Sequence, residues 1–171
     1  NALKGESDIS MITATFMQID TAIWAYLAPQ NRDALRLAVA TTAEELLDSA
    51  KPGSDQQLQY AKAFANNAFS PAQFERLKGI LNGEVNGLNI DAELRWYLFL
   101  CGVKRGIFGT AEIAAEAERD KTAHGKQYVA YAHAALPTKE AKAEAFRSIT
   151  TDDLSNTIHS YKCRGFNENI H

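Results

Sequence analysis

The sequence is poorest in the features that staple a fold, span a membrane or grip polyanions. It has two cysteines, Cys101 and Cys163, too few for a disulfide-built scaffold. A bridge between them stays open. Cys101, however, lies in Leu98-Phe99-Leu100-Cys101, where it fits a small core hydrophobe and an inert buried thiol. The longest apolar run, residues 96–101, falls far short of the roughly 20 residues that cross a bilayer. No secretory signal is present, so a cytoplasmic location with no membrane partner is expected. Lys and Arg number 18 against 21 Asp and Glu, dispersed among one another, for a net charge of −3. Nucleic-acid binders carry a clustered basic face, so no nucleic-acid partner is expected either.

Catalytic signatures are missing too. There is no H-E-x-x-H helix to present two zinc ligands and a base, and no G-x-S-x-G elbow. A phosphate-cradling G-x-x-x-x-G-K-[ST] loop and a dinucleotide G-x-G-x-x-G turn are likewise absent. Sustained period-two alternation, the mark of half-buried strands, does not occur.

What is present is helix. At 171 residues, 46% apolar and 23% charged, the chain has the size and composition of one globular domain. Asn1-Ala2, with no initiating Met, is expected to be an expression-tag remnant (residues 1–2), leaving residues 3–171 as one domain of something longer. Ile9, Ile12, Phe16, Ile19, Ile23, Tyr26 and Leu27 make one helical stripe, capped by Ser7 or Asp8 and closed before Pro29. Leu35, Val39, Thr42, Leu46 and Leu47 make a second, stopped by Pro52-Gly53. Ser54 or Asp55 caps a third, bearing Leu58, Ala61, Ala65 and Ala68. Ser70-Pro71-Ala72-Gln73 spells a capping box with Pro at the first helical position, and Asn82-Gly83 ends that helix. Asp91 caps residues 92–106, apolar on nearly every side and therefore central. Shorter helices are expected over 110–119, 122–136, 138–149 and 152–164, with Thr122, Thr138 and Asp152 as caps. The sum is an all-α chain of about nine helices in consecutive pairs. Successive helix pairs without strands suggest an α-solenoid, but no strict repeat is visible and periodicity alone supports only all-α helical pairs, with a compact bundle as the alternative.

Candidate chemistry is sparse. His159 and Cys163 stand four apart, a legitimate metal spacing, but two ligands make no site and an ordinary helix face is expected. His124 and His133 do not share a face, and His171 is terminal. Glu44-Glu45, Asp152-Asp153 and the trio Glu112, Glu116 and Glu118 are expected to be solvated faces, with Asp152-Asp153 complementing a helix start. No catalytic, cofactor-binding or metal residue is therefore assigned. Arg95, inside Leu94-Arg95-Trp96, is the most suggestive polar position. It is expected to join a structural ion pair, with contact to a peptide or neighbouring domain as the second reading.

Four stretches carry a family resemblance: Lys51-Pro52-Gly53-Ser54-Asp55-Gln56-Gln57-Leu58, Asp91-Ala92-Glu93-Leu94-Arg95-Trp96, Lys139-Glu140-Ala141-Lys142, and the long segment from Ala114-Ala115-Glu116 through Asp120-Lys121-Thr122-Ala123-His124-Gly125. They resemble the C-terminal helical domain of aminopeptidase N-type zinc exopeptidases, in the version shared by actinobacterial enzymes and the endoplasmic-reticulum aminopeptidases. The likeness covers residues 9–166. It implies an α/α superhelix of paired antiparallel helices, HEAT- or armadillo-like, forming a bowl. That bowl would close over the upstream catalytic domain of the same polypeptide, enclose a chamber for peptide substrates and support an open-to-closed motion. The parent would be a zinc-dependent aminopeptidase (membrane alanyl aminopeptidase-like). Zinc would lie in its upstream domain and no cofactor here, so the chain alone would be inactive. The alternative is a stand-alone helical-repeat scaffold for protein–protein interaction.

Overall fold

The computed structural model describes residues 2–168, and among them the chain is all-α: nine α-helices, a short 3₁₀ turn (Ala2–Gly5) and a π-helical turn (Ala22–Tyr26). Backbone contacts group it into two compact units, Asn1–Leu98 and Phe99–His171.

In the first unit lie α1 (Ile9–Thr21), α2 (Pro29–Ser49), α3 (Asp55–Asn67), α4 (Pro71–Leu81) and the start of α5 (Ala92–Lys104). Both α1 and α2 pack on α3. The Asp8 carboxylate caps α1, accepting the Ser10 N–H at 2.8 Å. Asp20, near the end of α1, accepts the side-chain amides of Asn66 and Asn67 at 2.7 and 3.0 Å, fixing α1 against α3. The expected stripe of Ile12, Phe16 and Ile23 is buried, but Tyr26 is 84% exposed. The π-helical turn explains the miss: Leu27 N–H bonds back five residues to Ala22 O at 2.9 Å. One extra residue in that turn rotates everything after it out of phase.

The α2 stripe also needs correction. Leu35 and Thr42 face solvent, and the buried face is Arg36, Val39, Ala40, Ala43, Leu46 and Leu47. An arginine leads it because its charge is met by aromatic faces. The guanidinium carbon lies 5.5 Å from the Trp24 ring centre and 5.0 Å from that of Phe69, while Nη2 donates to Ala68 O at 3.3 Å. A search for apolar periodicity passes over such a residue.

The helix ends follow the sequence closely. Ser54 caps α3 and Ser70 caps α4 in a reciprocal box, with Gln73 N–H to Ser70 Oγ at 3.3 Å and Ser70 N–H to Gln73 Oε1 at 3.2 Å. At the other end of α4, Gly83 (φ +82°) turns the chain so that Gly83 N–H reaches Ile80 O and Glu84 N–H reaches Gly79 O, at 2.9 and 3.0 Å. Asp91 caps α5 as expected, through the Leu94 N–H at 2.8 Å. Leu94, Trp96, Leu98, Phe99, Leu100, Cys101 and Val103 of α5 are buried, and Tyr97 alone of its aromatic residues is exposed.

The second unit holds α6 (Thr110–Arg119), α7 (Ala123–Ala135), α8 (Lys139–Thr151) and α9 (Asn156–Phe166). Here α7 is the hub, packing on α6, α8 and α9. Its contact with α9 is close because Gly165 faces it: a Cβ there would run into Tyr131 O and come within 3.1 Å of Ala134 Cβ. Asp152 does not cap α9. Residues 153–155 lie outside any helix, Ser155 is the cap, and Asp152 is the residue that closes α8. The signal lay in Ser155, whose hydroxyl accepts the Ile158 N–H at 3.4 Å.

One side chain binds three helices together. Lys142 on α8 donates from Nζ to Ala134 O at 2.8 Å, Gly165 O at 3.0 Å and Phe166 O at 3.1 Å. These are terminal carbonyls of α7 and α9, where orphan acceptors and the negative end of the helix dipole coincide. Burial pulls the Lys142 pKa below the ordinary lysine value, and the Glu168 carboxylate opposes that shift. Glu168 also accepts from the Tyr131 hydroxyl and lies 3.5 Å from Lys104 Nζ.

Candidate functional site

The second unit contains a cleft of about 600 Å³ walled by the start of α6 and by α7, α8 and α9. Its floor is made of small apolar groups, Ala130 and Ala134 from α7 and Ala141 and Ala145 from α8, with Leu136. Alanines repeated at i,i+4 on two successive helices leave the empty space that larger side chains would fill. Its mouth is polar: Thr110, His133, Glu140, Glu144 and Lys162.

The mouth charges are unequally matched. Glu144 is engaged by Arg147, whose Nη2 and Nε lie 2.6 and 2.8 Å from its two oxygens; this fork holds the Glu144 carboxyl below its usual pKa. Arg147 reaches Asp152 as well, at 2.8 Å, so Asp152 answers an arginine rather than a helix start. Lys162 Nζ donates to Ser148 Oγ. His133 is exposed at the mouth, and its pKa is lowered, first by partial burial and then by the charge of Lys162.

That depressed histidine has a measurable consequence. Below the ordinary value of 6.5 the unfolded chain takes up a proton that folded His133 resists. Stability should therefore fall as pH drops through 6.5, and the contribution is absent above it. His133→Gln should melt at a temperature that depends less on pH between 7 and 5 than the wild type does. Equal slopes would remove the argument.

The other candidates are scattered. Arg95 donates from Nη1 to Leu81 O at 3.0 Å, supplying a cation to the last carbonyl of α4. His159 and Cys163 do face one another, Nδ1 to Sγ at 3.7 Å, but among the described residues no group of three His, Cys, Asp or Glu converges. His124 stacks on Tyr128 at 4.7 Å and lies 3.2 Å from the Tyr161 hydroxyl, about two and a half turns from His133 and so on the opposite side of α7. His171 lies outside the described residues. Glu44 shares Arg76 with Asp48, and its pKa is raised by burial. The expectation of a solvated face fails for Glu116, which is only 5% exposed with Arg119 Nε 3.8 Å away; Glu112 caps α6 through the Gly109 N–H at 2.8 Å. No helix among the described residues is long and apolar enough to cross a membrane.

The stretches singled out in the sequence turn out to be architectural. Gln57, 3% exposed, accepts the Gly53 N–H at 2.9 Å and donates to Asn86 O at 3.0 Å, stitching the α2–α3 turn to the loop after α4. Asp120 Oδ1 accepts the Thr122 hydroxyl and N–H at 2.6 and 3.1 Å, and Thr122 caps α7 through the Gly125 N–H at 3.0 Å. A Cβ at Gly125 would strike Asp120.

These joints are what a shared sequence would preserve, and known proteins share it. The chain is 44% identical over 166 residues, 94% of its length, to an aminopeptidase N of Streptomyces lividans, and it spans 19% of that relative. The ERAP1-like C-terminal domain model matches residues 1–171. The chain belongs to the ERAP1-like C-terminal domain family.

Proposed function

We propose that this chain is the non-catalytic C-terminal domain of a zinc aminopeptidase, capping the upstream catalytic domain of the same polypeptide. The observation that carries the reading is the 44% identity to one 19% segment of an aminopeptidase N. Residues 3–171 then form one C-terminal helical-repeat domain, its helix pairs continuing as an α/α superhelix. Its concave side encloses a chamber for peptide substrates, and its movement accompanies an open-to-closed transition in the cytoplasmic enzyme. Zinc and its general base belong to the upstream domain. Closure of such a chamber orders the substrate and excludes water, two effects that act on turnover.

The test is a parent enzyme lacking the segment from Ile9 onward, with folding checked by thermal melt. Long peptides touch most of the chamber, so their kcat/KM should fall by about tenfold or more, equivalent to roughly 1.4 kcal/mol of transition-state stabilisation. Amino-acid anilides touch little of it and should lose less. A folded truncation that cleaves long peptides as well as the intact enzyme would refute the chamber role and leave a helical-repeat scaffold in its place.

A further inference from the structure

We propose that Asn86-Gly87 is a self-modifying site, where the Gly87 main-chain nitrogen displaces ammonia from the Asn86 side chain at a rate set by the joint that holds this turn. Asparagine is among the thermolabile residues, and most so before glycine, which has no side chain to shield its nitrogen. The sequence has two such pairs, Asn82-Gly83 and Asn86-Gly87, and the fold treats them differently. Gly83 N–H is tied to Ile80 O at 2.9 Å, at the end of α4. Asn86 and Gly87 are exposed, and among the described residues neither the Asn86 carboxamide nor the Gly87 N–H has a hydrogen-bond partner. Gly87 N, giving its proton to solvent, bonds to Asn86 Cγ while the Cγ–Nδ2 bond breaks; the amide nitrogen regains a proton and leaves as ammonia. Water then opens the cyclic imide at either carbonyl. One opening restores the main chain and leaves a carboxylate at residue 86. The other leaves an isoaspartyl linkage, a main chain routed through the side chain and longer by a methylene.

The fold gates this reaction. Leu88 N–H bonds to Val85 O at 3.2 Å, Asn86 has a negative φ and Gly87 sits at +80°, the pattern of a type II turn. In that turn the Gly87 nitrogen stands about a third of a rotation, around the Asn86 Cα–C bond, from where ring closure needs it. The turn must therefore open first. It is held by Gln57, which donates to Asn86 O at 3.0 Å, and by Pro52-Gly53, against which Gly87 packs. Modification consequently records openings of the joint between the α2–α3 turn and the loop after α4, and the longer isoaspartyl chain keeps that joint from closing.

The experiment ages the intact chain at mildly alkaline pH and reads each site by peptide mass, since cleavage after Glu84 puts Asn82 and Asn86 on separate peptides. Amide-to-acid conversion should accumulate at Asn86 before Asn82, with enzymatic methyl transfer to isoaspartate marking the longer-chain product. Gln57→Met keeps the bulk but removes both hydrogen bonds of the joint, and should raise the Asn86 rate about three- to tenfold. Lys142→Met, which loosens the other unit, should leave that rate unchanged and so separates opening of the joint from general unfolding. The isoaspartyl fraction, separated by chromatography, should melt about 2–4 °C below the unmodified chain. Asn86→Gln should yield no such fraction on ageing, because its longer side chain closes the ring far more slowly. Conversion at Asn82 as fast as at Asn86, a Gln57→Met rate no higher than wild type, an equal rise in Lys142→Met, or an isoaspartyl fraction that melts with the rest would each overturn the proposal.

Discussion

Replacing Lys142 by Met should lower the melting temperature by about 6–12 °C, the shift expected of a loss near 3 kcal/mol in a chain this long. Methionine keeps the length and the apolar stem but removes every donor. Ala134, Gly165 and Phe166 would then each present a carbonyl that the ammonium now satisfies. Two helix C-termini would lose their compensating cation at once. Hydrogen bonds to charged groups contribute about 1.5–3 kcal/mol each, but the site is only half-buried, so water recovers part of the loss. Lys139→Met is the control. It removes the same charge from an exposed position three residues earlier on α8, and should shift stability by less than about 0.5 kcal/mol. If both variants melt alike, the three carbonyl contacts contribute nothing beyond charge.

Gly87→Ala should cost about 3 kcal/mol, read from chemical denaturation, because two penalties coincide there. The backbone φ is +80°, which L-residues with a Cβ adopt reluctantly. A Cβ would also lie 2.5 Å from Pro52 Cβ and 2.7 Å from Gly53 N, and the second of these is main chain that cannot swing aside. Gly83 separates the two effects. Its φ is +82° but nothing lies within 4 Å of a Cβ built on it, so Gly83→Ala should cost only about 1 kcal/mol of conformational strain. A Gly87→Ala penalty no greater than that at Gly83 would mean that the α2–α3 turn and the loop after α4 move apart at little cost.

Helices were legible in the sequence because their punctuation is local. Ser70, Pro71 and Gln73 carry the whole capping box within four residues, and Asp91, Thr122 and Thr138 cap the helices they precede. The errors arose where the deciding partner is distant or backbone-borne. Arg36 is buried because Trp24 and Phe69 supply faces for it, and Phe69 is 33 residues away. Asp152-Asp153 resembles a helix start, yet Arg147 draws Asp152 back to the end of α8. Glu116 is hidden because it points toward the packed side of α6, a choice that i,i+4 spacing with Glu112 cannot make. The cleft is a different kind of omission. Its signal is an absence of bulk at Ala130, Ala134, Ala141 and Ala145, which ordinarily marks close helix packing. Only the placement of α7 and α8 turns small residues into empty volume.

The π-helical turn at Ala22–Tyr26 holds one residue more than an α-helical path through the same segment would need. A chain shortened by one residue there could continue as plain α-helix and still deliver Leu27 to the start of α2. The same deletion inside α2 would rotate every following side chain by about 100° and carry Leu46 and Leu47 out of the core. Length is therefore negotiable at the first site and fixed at the second. Across a lineage, this turn is where the chain can gain or shed a residue without renegotiating the helices on either side.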